Sequence, residues 1–392
     1  MEDVVILSGV RTPIGAFQGS LASVPAPQLG GAAIRAALEA AGVEPGHVDE
    51  VMMGCVLTGG MGQAPARQAA FAGGLPEGVP CTTINKVCGS GMKTVMLGAQ
   101  AIKCGDAKIF VAGGMESMSN APYFLPQART GYRMGHGQII DSMIHDGLWD
   151  PYGNVHMGNC GDCTAAEFEV SREALDTFAA ESYRRALDAQ ASGRLAEEIV
   201  PVQVPQRKGD PISVAEDEEP KKGDPSKLAS LRPAFGKEGV TTAGNASSLD
   251  DGGAALVLAA GSEAEKRGLE PLARVVTYSS HAQEPQWFTT APAFAIQKLL
   301  ERAGLQVSDI DLFEVNEAFS VVAMVVADKV GIPSDKLNVN GGAVSLGHPI
   351  GMSGSRLIIT AMHELRRRGG RYAVATPCIG GGEATAVLIE RI

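Results

Sequence analysis

Two periodicities alternate along this chain. Short runs of β-branched and other apolar residues, such as Ile109-Phe110-Val111-Ala112, run into glycine pairs, here Gly113-Gly114, that read as turns. Between them lie longer stretches whose apolar residues recur every three or four positions, the spacing of one buried helix face. This spacing predicts helices over Gly30–Ala41, Met92–Lys103 and Ser353–Arg368. Gly42, Gly105 and Gly369-Gly370 follow them, and glycine readily takes the left-handed conformation that closes a helix. Strands are expected over Asp311–Val315 and Tyr372–Thr376. Such alternation predicts α/β layers.

The pattern repeats. Ala33–Val51 and Ala295–Phe313 lie 262 positions apart and share seven identities over nineteen ungapped residues. The pairs are Ala33/Ala295, Ile34/Ile296, Leu38/Leu300, Glu39/Glu301, Ala41/Ala303, Gly42/Gly304 and Asp49/Asp311. The same offset carries Cys88-Gly89 onto Ile350-Gly351, each opening a predicted helix that a strand and a Gly-Gly pair follow (Gly113-Gly114 and Gly380-Gly381). Two homologous α/β halves follow from this. Between them, Ser119–Gly161 has little periodicity. Ser171–Ala191 reads as an amphipathic helix with Leu175, Phe178, Ala179, Ala186 and Leu187 on one face. Pro205–Gly239 is charged and broken by Pro and Gly, as expected of a long binding insertion.

Composition narrows the function classes. The chain has 392 residues, is 45% hydrophobic and carries a net charge of −11, which argues against a nucleic-acid partner, since that needs a basic face. A small anionic ligand is still compatible with it, through local cations or helix N-termini. No apolar run approaches the roughly 18 residues of a membrane span. The acidic start, MEDVVILSGVRTP, lacks the features of a signal or transit peptide, so a cytoplasmic protein is expected. Its seven cysteines are then expected as free thiols. Cys160-Gly-Asp-Cys163 has no partner pair, and the spacing of His136, His145 and His156 is not that of a metal site, so no metal is expected.

Four strings could carry chemistry. In Asn85-Lys86-Val87-Cys88-Gly89-Ser90-Gly91, Cys88 sits in a small-residue loop at a helix start, where the dipole favours a thiolate. A packed cysteine in a tight turn is the alternative. In Gly341-Gly342-Ala343-Val344-Ser345-Leu346-Gly347-His348-Pro349, the imidazole lies two residues before the equivalent of Cys88. A pseudo-twofold would therefore bring base and thiol together, the requirement for covalent catalysis. Cys378-Ile379-Gly380-Gly381-Gly382 adds a second thiol and free backbone N–H donors of the kind an oxyanion needs, or else a buried cysteine before a turn. Asn316, after the strand, could orient a water or a carbonyl, or cap a helix.

Together these strings, with GGMESMSN, DGLWDPYGNVHMG, LRPAFGKEGVTTAGNASSLDDGG and EVNEAF, resemble the thiolase family over essentially the whole chain, most of all its biosynthetic acetyl-CoA acetyltransferase branch. The resemblance implies two similar halves in a five-layer αβαβα core with an inserted coenzyme A-binding loop domain. Residues 1–118 and 249–270 would form the first half, 119–248 the insertion and 271–392 the second half. Cys88 would be the acylated nucleophile, His348 its activator and Cys378 the acid/base at the α-carbon. Asn316, through a water, and His348 would hold one thioester oxygen, and the N–H groups of Cys88 and Gly380 the other. Leu148, His156, Met157, Phe235, Ala243, Ser247, Ala318 and Phe319 would line the pantetheine tunnel. No cofactor is implied. Acetyl-CoA, acetoacetyl-CoA and coenzyme A would be substrates and products, and the assembly a homotetramer built from dimers.

The chain departs from the family at three places: Pro220 where a basic residue is common, with Lys221 and Lys222 beside it; Phe288 where the branch often has Met; and Glu383-Ala384-Thr385 after Gly382. The rival readings are a 3-ketoacyl-CoA thiolase of broader chain length, a decarboxylating condensing enzyme and a non-catalytic acyl-CoA or lipid carrier. A decarboxylating enzyme would want a second His where Cys378 stands, and a carrier should have lost Cys88 or His348.

Overall fold

The computed structural model describes residues 2–392. Nine main strands are used below: β1 (Val4–Arg11), β2 (Glu50–Gly54), β3 (Cys81–Ile84), β4 (Ile109–Ser117), β5 (Asp250–Ala260), β6 (Ala273–Ala282), β7 (Leu312–Val315), β8 (Tyr372–Thr376) and β9 (Glu383–Arg391). They run side by side as β7-β8-β9-β6-β1-β5-β4-β2-β3. From the β1/β6 junction outward the order is β1-β5-β4-β2 on one side and β6-β9-β8-β7 on the other, the same topology twice. The junction is slight: Val5 faces Arg274 and Ile6 faces Ala273. Leu337 bridges to Phe313 where the second half has no counterpart to β3.

Eight helices complete the frame: α1 (Ala26–Ala41), α2 (Pro65–Ala72), α3 (Ser90–Cys104), α4 (Met157–Glu167), α5 (Arg172–Ala191), α6 (Ala291–Ala303), α7 (Ser320–Val330) and α8 (Ile350–Arg368). Helices α1 and α2 cover the outer face of the first half-sheet, while α6 and α7 pack on the second. Helices α3 and α8 lie against each other and touch strands of both halves. The result is the expected five layers, αβαβα. A strand between two helix layers is covered on both faces, so β5 is buried from Asp250 to Ala260. Helix α8 is buried along most of its length, from Ile350 to Leu365. No helix among the described residues is long and apolar enough to cross a membrane.

The helix stops behave as expected: Gly42, Gly105 and Gly369 take φ values of 64°, 84° and 67°. Two other expectations are corrected. Gly113-Gly114 is not a turn but the middle of β4, opposite Ala255 and Ala254. A Cβ on Gly113 would lie 2.2 Å from the Ala254 carbonyl oxygen, and one on Gly114 2.1 Å from that of Gly351. These glycines serve close backbone approach rather than chain reversal. Leu187 of α5 is exposed, whereas Leu175, Ala179 and Ala186 are buried, so the apolar face is narrower than the sequence suggested.

Gly114→Ala should destabilise the protein strongly, because its two nearest obstacles are backbone atoms of α8. Overpacking typically costs about 1–3 kcal/mol, and more where backbone must move. Thermal unfolding alongside Gly46→Ala, where nothing lies within 4 Å of the new methyl, checks it. Equal midpoints for the two variants would contradict the packing described here.

Candidate active site

Cys88 is presented by a sharp bend. Val87, just before it, has φ 47°, an unusual conformation for a β-branched residue and a place where strain is stored. The bend is held by Ser90, whose Oγ donates to the Val87 carbonyl at 2.6 Å and accepts from Lys86 N–H at 2.9 Å. Val87 N–H donates to Asn85 Oδ1 at 3.0 Å. Helix α3 begins two residues after Cys88. Across from it the chain leaves Cys378–Ile379, which pairs with β9, and turns at Gly380. Gly380 N–H and Cys88 N–H lie near enough to favour the ionised form of Cys88.

His348 lies just before α8 and is buried. Its Nδ1 is 2.6 Å from Ser353 Oγ, and Ser353 Oγ is 2.9 Å from the Pro349 carbonyl. The Ser353 hydroxyl has one proton, and a carbonyl can only accept. The arrangement that satisfies both contacts has Ser353 donating to Pro349 and His348 Nδ1–H donating to Ser353. Nε2 is then the free acceptor, 3.4 Å from Asn316 Nδ2. The main chain at His348 is fixed by its N–H donating to Asp250 Oδ2 at 2.7 Å. Asn316 is wholly buried and caps no helix, since α7 starts at Ser320.

Burial sets the protonation of this group. It pushes the Cys88 thiol up to about 11, against the pull of the two N–H groups, with the Glu116 charge adding to the rise. The loop before α3 thus offers the thiolate two backbone N–H groups, while desolvation pulls the other way. Burial, helped by the Arg356 charge, pushes His348 down to about 3, so its ring is neutral at physiological pH. Cys378 is wholly buried and held well above its ordinary value by that burial and by Cys88, with its own N–H and that of Ala318 opposing.

A cavity of about 380 Å³ opens beside these residues. Cys88, His348 and Gly380 line it, as do all eight predicted tunnel residues: Leu148, His156, Met157, Phe235, Ala243, Ser247, Ala318 and Phe319. Cys378 and Asn316 are not part of this wall. Leu148 ends a π-helical turn over Met143–Leu148, and such turns are frequent at functional sites. His156 caps α4 by accepting Gly158 N–H at 3.1 Å and stacks on Phe235 with centroids 4.6 Å apart. Phe319 meets Phe235 and Phe288 edge-on at 6.0 and 6.4 Å. Ser247 N–H donates to the Ala318 carbonyl at 3.0 Å, tying the insertion's last loop to the segment after β7.

Sequence reasoning missed several wall residues, among them Met118, Met143, Ala246 and Ile350. They are ordinary apolar residues with no chemical signature. It also missed Glu116, a fully buried carboxylate whose charge reaches Cys88. The repeat could have found it, because Glu116 lies 262 positions before Cys378. The lysines of the insertion, Lys221, Lys222 and Lys227, are exposed and paired with Glu216, Glu219 and Asp224, away from the cavity wall. Among the described residues no group of three His, Cys, Asp or Glu is arranged to hold a metal ion.

Known proteins are similar to this chain in sequence. Family models described as "Thiolase, N-terminal domain" and "Thiolase, C-terminal domain" match residues 4–262 and 269–391. An "Acetyl-CoA acetyltransferase" of Pseudomonas aeruginosa is 51% identical over 392 residues, all of both chains. "Acetyl-CoA acetyltransferase 2" of Arabidopsis thaliana is 51% identical over 99% of this chain and 97% of its own. A Schizosaccharomyces pombe protein called "Acetyl-CoA acetyltransferase" is 48% identical over 100% and 99%. With two duplicated α/β halves, the paired thiols and both domain matches in place, the chain belongs to the thiolase family.

Proposed function

We propose that this protein is an acetyl-CoA C-acetyltransferase, joining two acetyl-CoA molecules reversibly into acetoacetyl-CoA and coenzyme A. The observation that carries this reading is the 380 Å³ cavity that has Cys88 and His348 in its lining and Phe288 packed against Phe319. The names of the relatives support it.

The chemistry follows from the protonation states. His348 Nε2 takes the proton as Cys88 Sγ attacks the acetyl carbon. The N–H groups of Cys88 and Gly380 hold the oxyanion, such donors being worth about 3 kcal/mol each. Coenzyme A leaves as a thiolate and takes a proton from Cys378. The resulting Cys378 thiolate is strongly basic because it is buried, which suits removal of a methyl proton from the second acetyl-CoA. His348 and Asn316 hold the enolate oxygen, Asn316 through a water. The enolate carbon attacks acetyl-Cys88, the Cys88–acetyl bond breaks, Cys88 leaves as a thiolate that takes back the proton from His348, and acetoacetyl-CoA forms. Coenzyme A would enter between residues 119–248, read as the inserted domain, and the halves 1–118 with 249–270 and 271–392. The register Asp251↔Ser117 supports that division, since the chain leaves β4 and returns to its neighbour β5.

Thiolysis of 3-ketoacyl-CoA from C4 to C16 tests the substrate class. Efficiency should fall steeply above C4–C5, because Phe288 and Met157 close the pocket. Equal efficiency at C4 and C12 would favour a thiolase of broader chain length instead, and no turnover at any length would favour a carrier.

The two thiols should separate cleanly. Cys88→Ala should lose both acetylation and condensation. Cys378→Ala should still acquire an acetyl group but lose condensation by about 10²–10⁴-fold, the usual weight of a general acid–base group. Intact-protein mass spectrometry with acetyl-CoA reads the difference. An acetyl group mapping to Cys378 in the Cys88→Ala protein would reverse the roles.

The homotetramer reading is supported by a hairpin, Tyr123–Phe124 against Ile140–Asp141, whose surroundings expose Leu125, Met134 and Ile139 at 51%, 97% and 68%. Light scattering should give four chains for the native protein and fewer for Met134→Asp with Ile139→Asp. A native monomer, or a tetramer indifferent to both changes, would count against it.

A further inference from the structure

Glu116 ends β4 wholly buried, and its carboxylate is answered by backbone rather than by a cation. Oε2 accepts from Val56 N–H at 3.0 Å and Gly351 N–H at 2.9 Å. Oε1 accepts from Leu57 N–H at 3.1 Å and lies 3.5 Å from Cys55 Sγ. The Val56 and Leu57 donors belong to the segment after β2, and Gly351 opens α8, the helix that His348 precedes.

The repeat gives these contacts a second meaning. Glu116 and Cys378 are equivalent by the 262-residue offset, and so are Val56 and Ala318. Val56 N–H donates to Glu116 at 3.0 Å, and Ala318 N–H favours the ionised form of Cys378. Glu116 faces Gly252 on β5, and Cys378 faces Ala384 on β9, so each stands beside the equivalent antiparallel strand. The two halves thus set a thiol and a carboxylate at one equivalent place beside equivalent strands. In the first, the place of Cys88 is taken by Ile350, which fills it with hydrocarbon.

We propose that Glu116 is a positioning residue for the reaction at Cys88: from the place that Cys378 holds in the other half, it fastens the N-terminus of α8 to the Cys55–Leu57 segment. Leu57 and Ile350 pack in one apolar cluster with Met118, Met143 and Cys88, so this fastening sets the wall that Cys88 faces as well as the approach of His348. The proposal rests on the acetyltransferase reading for its kinetic consequence only. Glu116 also acts through its charge. Its titratable neighbours are Cys55 and Cys88, both raised by it, while α8 offers it only an N–H group. Burial lifts the carboxyl itself to about 7, against its N–H donors.

Glu116→Gln and Glu116→Asp divide the two effects. An amide has one acceptor oxygen, yet both carboxylate oxygens receive N–H donors, so Glu116→Gln sets donor against donor on one side. In the folded enzyme kcat for condensation should fall by roughly 10- to 100-fold, the scale of a small misplacement of reacting groups. KM for acetyl-CoA should stay within about twofold, because none of the direct partners of Glu116 lines the cavity. The pH midpoint for iodoacetamide labelling of Cys88, read by peptide mass spectrometry, should move down as the repelling charge is lost. Glu116→Asp keeps the charge but retracts it by one methylene, so kcat should fall while the midpoint stays. Wild-type kcat in either folded variant, a loss confined to KM, or an unmoved midpoint in Glu116→Gln overturns the proposal. Failure of both variants to fold overturns it as well, assigning Glu116 to stability alone. Labelling requires no acetyl-CoA, so a wild-type protein that never condenses acetyl-CoA yet shows the midpoint shift would sink the acetyltransferase reading and keep this one.

Discussion

Four backbone segments meet at the centre of this molecule where no side chain fits. A Cβ on Gly54 would lie 2.6 Å from Gly91 N and 2.8 Å from the Gly351 oxygen, one on Gly91 3.0 Å from that same oxygen, and one on Gly114 2.1 Å from it. These glycines belong to β2, α3, β4 and α8, one strand-and-helix set from the first half and the buried helix of the second. Their contact draws the N-termini of α3 and α8 onto the same strand ends. The loop before α3 carries Cys88 and the loop before α8 carries His348, so thiol and base face one cavity because backbone meets backbone. Each glycine costs conformational entropy on folding, and only so dense a junction offsets that cost.

Burial then decides how the assembled groups hold their protons. Cys88, His348 and Cys378 are each driven towards the neutral form by the same desolvation. Three neutral groups are cheaper to bury than a thiolate–imidazolium pair, whose desolvation can exceed its mutual attraction. The resting site therefore carries little charge and moves a proton only when a substrate oxygen can accept the density that Cys88 gives up. The backbone donors at Cys88 and Gly380 are fixed beforehand, so they need no reorganisation at that moment.

Much of this could be read in the chain. The repeat announced the duplicated halves, because helix-face spacing and glycine stops survive divergence. The loops of Cys88, His348 and Gly380 were recognisable as reactive residues set among small ones. Gly113-Gly114 misled, because a glycine that admits a neighbouring backbone looks in sequence like one that reverses the chain. The helix start at Cys88 is visible locally, whereas the apolar residues that desolvate its thiol, such as Leu57, Met143 and Ile350, come together only in the fold. Met143 and Ile350 were silent as wall residues, since an apolar residue at a cavity reads like one in a core. Glu116 was legible only through the offset, as the partner of a cysteine that it does not resemble.

The segment between β4 and β5 is held at two places of different chemistry, and this completes the constraint. At one, Arg11 at the end of β1 is fully buried, with Nε on Glu198 at 2.6 Å and its terminal nitrogens on Asp217 at 2.7 and 2.9 Å. Asp217 also accepts from Ile14 N–H at 2.8 Å. Removing one member of such a buried pair typically costs about 3–5 kcal/mol, because a charge is left without an answer. At the other, Ser320 N–H donates to the Asn245 carbonyl at 2.8 Å, and Ser247 N–H to that of Ala318, beside the cavity itself. A charge clamp far from the site and main-chain bonds next to it leave the insertion little freedom to shift against the sheet. The aromatic wall of His156, Phe235, Phe319 and Phe288 spans both insertion and core, so its spacing is set by the packing of the whole fold rather than by any one loop.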